Sequence, residues 1–205
     1  MLEPAAAYNR AMPKSAIDRP RVEAAVRELL LAIGEDLSRD GVRETPQRIA
    51  RMFEEIFAGQ NGGAAQYLET QFDVEHRELI LFRDIQFFSM CEHHLMPFVG
   101  LAHIAYIPSG RVTGLSKVVR AFKNLAARPQ VQERLTTQMA DLMMDKLQPL
   151  GAAVIIEARH LCMEMRGVRS PGSIITTSAL RGAFESREST RMELFTLIKG
   201  ERHVL

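Results

Sequence analysis

Residues 78–107 read ELILFRDIQFFSM (78–90), CEHHLMP (91–97) and FVGLAHIAYI (98–107). The outer two pieces are dense in branched and aromatic residues, the composition of strands. The connection between them is short and polar, so the pair is predicted to run antiparallel. PSG at 108–110 turns the chain out of the second strand. Downstream, helical patterns cover about 116–127 and 130–147, the second ending near Pro149 and Gly151. AAVIIEARHLCMEM (152–165) and IITTSALRGAF (174–184) then read as strands, and a last helix spans about 189–198.

Upstream, two helices are predicted. Pro20 suits a first helical residue, and Val22, Val26, Leu29, Leu30 and Ile33 recur at helical spacing up to Gly34. Thr45 reads as an N-cap with Pro46 in the first turn, and Ile49, Met52, Phe53, Ile56 and Phe57 form an apolar stripe. GQNGG (59–63) is a loop. Residues 1–17 show no periodicity and read as a flexible tail, 18–60 as an N-terminal helical region, and 61–205 as the main domain. Strand pairs separated by helices make the fold class α+β, with an antiparallel sheet. Four strands leave open edges that another subunit can pair with or cover, so an oligomer is expected.

The 205 residues carry Lys+Arg 26 against Asp+Glu 25, a net charge of +1 that excludes a globally basic nucleic-acid binder. Only five of the cations are lysines, and 21 are arginines, the residue suited to bidentate carboxylate and phosphate contacts. Two cysteines are too few for a disulfide framework. The first twenty residues lack the apolar core of a secretory signal, and no apolar run reaches ~18 residues. The expectation is a cytoplasmic protein bound to neither membrane nor nucleic acid.

Both cysteines stand beside histidines. Cys91 and His94 are three apart, a spacing that lets two side chains converge on one ion from a turn. In Glu157-Ala158-Arg159-His160-Leu161-Cys162, a strand places His160 and Cys162 on one face. A metal site with an open position for water, a closed structural site of Cys91, His94, His160 and Cys162, and two small buried thiols all fit this spacing. His93 adds a further donor to the first two.

GRVTGLSK (110–117) has the look of a phosphate loop but fails the P-loop glycine spacing. It sets Ser116 and Lys117 at a helix start with Arg120 one turn on, an arrangement that can hold an anion. The plainer reading is a solvated, ordinarily capped helix start. Arg166 and Arg169 add cationic reach beyond Cys162. Glu133, in QVQER, reads by default as a surface helix residue paired with a neighbour.

Taken together, CEHHLMPFVGLAHIAYIPSGRVTGLSK, QVQERLT, EARHLCMEMRGV and TSALRGAF closely resemble GTP cyclohydrolase I, from about residue 20 to residue 198. Glu164 departs from the family pattern, which usually has a small polar residue between the two methionines. The resemblance implies a tunnelling fold preceded by N-terminal helices, with sheets closing across subunits into a toroidal homodecamer. It implies Zn2+ held by Cys91, His94 and Cys162, with active-site histidines His93 and His160 outside the ligand set. Ser116, Lys117, Arg120 and Arg166 match residues around a triphosphate, and Gln132 and Glu133 match those reading the guanine edge, in sites shared between subunits. The implied substrate is GTP. Water adds at C8, the imidazole ring opens, formate leaves, and the ribose rearranges to close 7,8-dihydroneopterin triphosphate. Two other readings remain: a related pterin or deazapurine enzyme with different chemistry, and a structural-zinc oligomer regulated by a nucleotide.

Overall fold

The structure is a computed structural model and describes residues 17–200; the expected tail falls, but for Ile17, outside the described residues. The chain divides into two compact units with the boundary at Gly62 and Gly63. Both glycines take positive φ, 79° and 98°, a region that side-chain-bearing residues enter only with strain.

The first unit holds α1 (Arg19–Ala32), α2 (Thr45–Ile56) and a 3-10 turn over Ala58–Asn61. Asp18 caps α1 by accepting from the Arg21 N–H at 3.1 Å, with Pro20 in the first turn. Thr45 does not cap α2. It is the first helical residue, and Glu44 before it makes no side-chain capping bond. A bidentate Arg19–Glu54 ion pair joins the two helices.

The second unit opens with the single turn α3 (Ala64–Tyr67) and is built on β2 (Ile80–Cys91), β3 (Pro97–Ile107), β6 (Gly151–His160) and β7 (Ile175–Gly182). These follow one another antiparallel, and β5 (Pro129–Gln130) adds a parallel edge to β2, giving the order β5-β2-β3-β6-β7. A separate ladder joins β1 (Gln71–Asp73) to β4 (Arg111–Thr113). The architecture is α+β with one mixed sheet, antiparallel but for β5. The short strands β1, β4 and β5 were not legible in the sequence, because two or three residues carry no measurable alternation.

Helices α4 (Leu115–Ala126) and α5 (Gln132–Leu147) lie on one face of the sheet. Val118, Ala121, Phe122, Leu135, Met139 and Met143 meet Phe87, Phe98, Ile104, Val154 and Ile156 there, all buried. Phe87 lies edge-on to Phe98 and to Phe122, at centroid distances of 5.9 and 5.2 Å. Each such buried ring contributes about 1.5–3 kcal/mol through removal from water. The other face is covered at one end, where Phe184 of α7 (Ala183–Ser186) and Leu194 of α8 (Glu188–Lys199) pack on Ala105, Ala153 and Ile155. Residues 152–156 of β6 are therefore buried on both faces and read as a continuous apolar run.

Gly100 stands on β3 where a side chain would run into the backbone of β6. A Cβ there would stand 2.0 Å from the Glu157 carbonyl oxygen and 2.7 Å from Ala158 Cα, backbone atoms that cannot give way. Close pairing at this end matters because both strands run directly into the site.

Candidate metal centre and active site

The turn between β2 and β3 is closed by its own backbone. The Cys91 carbonyl accepts from Leu95 N–H at 2.8 Å, Cys91 N–H donates to Met96 O at 2.8 Å, and Leu95 takes a left-handed φ of 51°. Holding a branched residue there costs of order 1–2 kcal/mol, which the surrounding bonds offset. Glu92 anchors the turn to the helical layer through its carboxylate, paired with Arg134 of α5. That hydrogen bond holds the Glu92 carboxyl below its ordinary range. Arg134 also donates through Nε to Gln130 Oε1 at 2.9 Å, and Glu92 N–H donates to Gln130 O at 3.0 Å.

Strand β6 ends sooner than its sequence pattern predicts. His160 is its last residue, and Leu161–Glu164 form the single turn α6. The cause lies in the neighbours. His160 pairs with Phe98, the next position on β3 is Pro97 without an N–H, and β7 begins at Ile175 opposite Ala158. Beyond His160 there is no ladder left to join. His160 and Cys162 therefore do not share a strand face, and the two side chains part company.

Cys162 turns toward Cys91 and His94, and the donor atoms of these three all lie within 4.8 Å of one another. Cys91 is buried and Cys162 half-buried. Burial first, then the neighbouring Cys91 sulfur, pushes the Cys162 thiol above its ordinary value, with Arg166 pulling the other way. His94 Nδ1 stands 3.8 Å from Cys91 Sγ, while its Nε2 accepts from Arg166 Nη1 at 2.8 Å. Two cysteine sulfurs and an imidazole make a soft donor set that would suit an ion preferring tetrahedral coordination, and three protein donors would leave room for a non-protein ligand.

His93 and His160 stand outside this group. His93 Nδ1 lies 3.9 Å from Cys91 Sγ, and its ring is largely exposed, edge-on to His94. His160 stacks on Phe98, rings 4.7 Å apart and 3° from parallel, and its Nε2 lies 2.8 Å from Gln132 Oε1. Burial pushes the His160 pKa down, and the Glu133 charge partly opposes this.

Gln132, at the start of α5, is buried rather than presented to solvent. Its Nε2 donates to Ile156 O (3.0 Å), Ile175 O (2.9 Å) and Thr177 Oγ1 (3.0 Å). Two of these partners only accept, so the amide orientation is forced and Oε1 must face His160. Sequence reading missed this support, the Phe98 stack and the Arg134–Glu92 brace, all of which join residues distant in the chain.

Glu133 is exposed beside Gln132. Ser116 and Lys117 lie in the first turn of α4 and Arg120 follows, and no side-chain hydrogen bond or ion pair ties them down among the described residues. Of the expected cationic set, only Arg166 contacts the metal group within one chain, through His94. No helix of the described residues is long and apolar enough to cross a membrane.

The GTP cyclohydrolase I sequence profile matches residues 22–199. A solved chain titled as the apo form of the archaeosine synthase QueF-Like covers 51% of this chain and 93% of its own at TM-score 0.40 and 16% identity, a likeness too slight to carry weight. Curated relatives are far closer. The protein named GTP cyclohydrolase 1 from Thermobifida fusca is 56% identical over 188 residues, covering 91% of each chain. That from Carboxydothermus hydrogenoformans is 54% identical, covering 89% of this chain and 95% of its own, and that from Caldanaerobacter subterraneus 53%, covering 91% and 100%. The turn at Cys91, the buried Gln132 and the turn at Cys162 all fall inside the matched span, and with relatives this similar the chain belongs to the GTP cyclohydrolase I family.

Proposed function

We infer that this chain hydrolyses GTP, releases formate and forms 7,8-dihydroneopterin triphosphate, with the chemistry centred on Cys91, His94 and Cys162. The observation that carries the siting is the convergence of those three donors from two segments some seventy residues apart. The ion they suit best is Zn2+, which supplies Lewis acidity and lowers the pKa of water when bound.

The protein's own groups do the rest. Gln132 Oε1 can only accept, so His160 carries its proton on Nε2 and leaves Nδ1 as the acceptor of the neutral ring. Burial keeps that ring neutral near pH 7. His160 thus takes a proton from the attacking water and returns one to a departing nitrogen of the opening ring. Phe98 and Gln132 fix its plane and its tautomer. His93 lines the same turn as a second active-site histidine.

Both ends of the Gln132 amide are engaged inside the chain, so in this reading it supports His160 instead of reading the base. Glu133 beside it is left to accept from guanine N1–H and the 2-amino group. Adenine offers neither donor and would leave the carboxylate desolvated and unpaired. Arg166, Ser116, Lys117 and Arg120 neutralise the triphosphate, with Ser116 and Lys117 adding a helix start. The reading includes a tunnelling fold whose open edges at β5 and β7 join neighbouring copies in a toroidal homodecamer with shared sites. Exposed Phe88 (74%), Ile174 (62%) and Leu115 (68%) favour such burial. A light-scattering mass of ten chains is the expected result, and a monomer would overturn it.

Formate release from GTP by the purified chain, with dihydroneopterin triphosphate formed in equal amount, tests the function. GTP binding without formate release would instead favour a nucleotide-regulated oligomer. Glu133→Gln tests the base reader. The amide sets a donor against the donor edge of guanine, so kcat/KM for GTP should fall about 10²-fold or more, with no normal turnover of ATP gained. Unchanged kinetics would make Glu133 an ordinary surface residue.

A further inference from the structure

Cys162 sits on α6, a turn of only four residues. A single turn has too few internal hydrogen bonds to hold its own shape in water. Whatever places the Cys162 sulfur must therefore be a contact made to that turn from outside. Glu164, its last residue, makes one on each side. The Glu164 side chain is only 12% exposed, and its two oxygens accept a fork from Arg159, Nε to Oε1 at 2.8 Å and Nη2 to Oε2 at 2.6 Å. Arg159 is rooted in the sheet, on β6 opposite Val99 of β3. On the other side the Gly172 N–H also faces the carboxylate. Gly172 belongs to the loop after α6, which is tied back by Ser170 N–H donating to Met163 O at 3.0 Å. That loop carries Arg166, whose Nη1 reaches His94 Nε2.

We propose that Glu164 is a positioning residue of the metal centre, a clamp that fixes the Cys162 turn and the Arg166 loop against β6. It touches neither the donor atoms nor the substrate. It acts by holding one thiolate and one cation at the right place relative to Cys91 and His94. The proposal rests on the reading of those three residues as the metal ligands. Paired with a fork and shielded on one side, the carboxylate is a stiffer link than a hydroxyl or amide would be.

The test is metal affinity, measured without substrate. Glu164→Gln keeps size and shape but turns an amide N–H2 toward a guanidinium that only donates. Lost support behind metal ligands typically weakens metal binding about 10–100-fold. Titration of Zn2+ against a chromophoric chelator should show at least a ~10-fold weaker affinity in E164Q. Thermal unfolding of the zinc-free protein should barely move, and kcat should recover in excess Zn2+. Arg159→Met removes the same fork from the sheet side and leaves α6 untouched. It should reproduce the loss, and the double variant should lose no more than either alone. Wild-type Zn2+ affinity in either variant, or a lowered melting point with affinity intact, overturns the clamp. A wild-type chain that binds no Zn2+ overturns it as well. A wild-type chain that binds Zn2+ tightly yet frees no formate from GTP defeats the functional reading and leaves the clamp standing.

Discussion

Cys162→Ser should leave a folded chain that retains almost no zinc and releases no formate from GTP above the level of chelator-treated wild type. Serine keeps the size of the side chain and the geometry of α6, so the substitution removes a thiolate and little else. The cost is large because two ligands hold an ion far less well than three. The metal must also compete with protons for what remains. Cys162 already sits beside the Cys91 sulfur, within the 4.8 Å spread of the donor group. The substitution does not open a void in the main core, since Cys162 packs at its margin. Zinc by elemental analysis, formate by coupled assay, and mass by light scattering together check the prediction. Normal turnover without metal would show that these residues are not the reactive centre.

His160→Ala separates proton transfer from metal binding. A closed four-ligand site would have required the His160 ring beside the ion. Instead the ring lies flat on Phe98 with its Nε2 on the buried Gln132 amide, outside the donor group. Zinc content should therefore remain near one ion per chain while turnover falls about 10²–10⁴-fold, the usual cost of deleting a general acid–base group. GTP should still bind, and the reaction should stall at or just after the first addition of water. A slow change in purine absorbance without formation of the pterin would mark that stall. Loss of zinc together with activity would restore the closed structural site and remove His160 from the proton path. The alanine also leaves the Gln132 oxygen without its donor inside the protein. A modest fall in stability is therefore expected and does not bear on the assignment.

Much of this molecule was legible before any coordinate. The strands at 80–91, 97–107 and 175–182 and the helices at 115–126 and 188–199 lie within a few residues of their predicted bounds. Their apolar spacing is set by burial on a face, and burial is what the sequence encodes most directly. Cys91 and His94 were legible too, because a turn three residues long brings its ends together whatever surrounds it.

What the sequence could not decide is where β6 stops. ARHLCMEM alternates well enough to continue as a strand, and taken alone it puts His160 and Cys162 on one face. The strand ends because its neighbours end, at Pro97 on one side and Ile175 on the other, and hydrogen-bond partners are a property of the assembled sheet. The same holds for Gln132. The family likeness sets it at the guanine edge beside Glu133, and nothing in QVQER shows what its amide meets. It is buried, with its amide nitrogen donating to the Ile156 and Ile175 carbonyls of the two sheet strands. Local propensity chose the elements and their apolar faces. Pairing across the sheet and the satisfaction of buried polar groups, which join residues far apart in the chain, decided which donors converge on one another and which histidine meets the buried Gln132 amide.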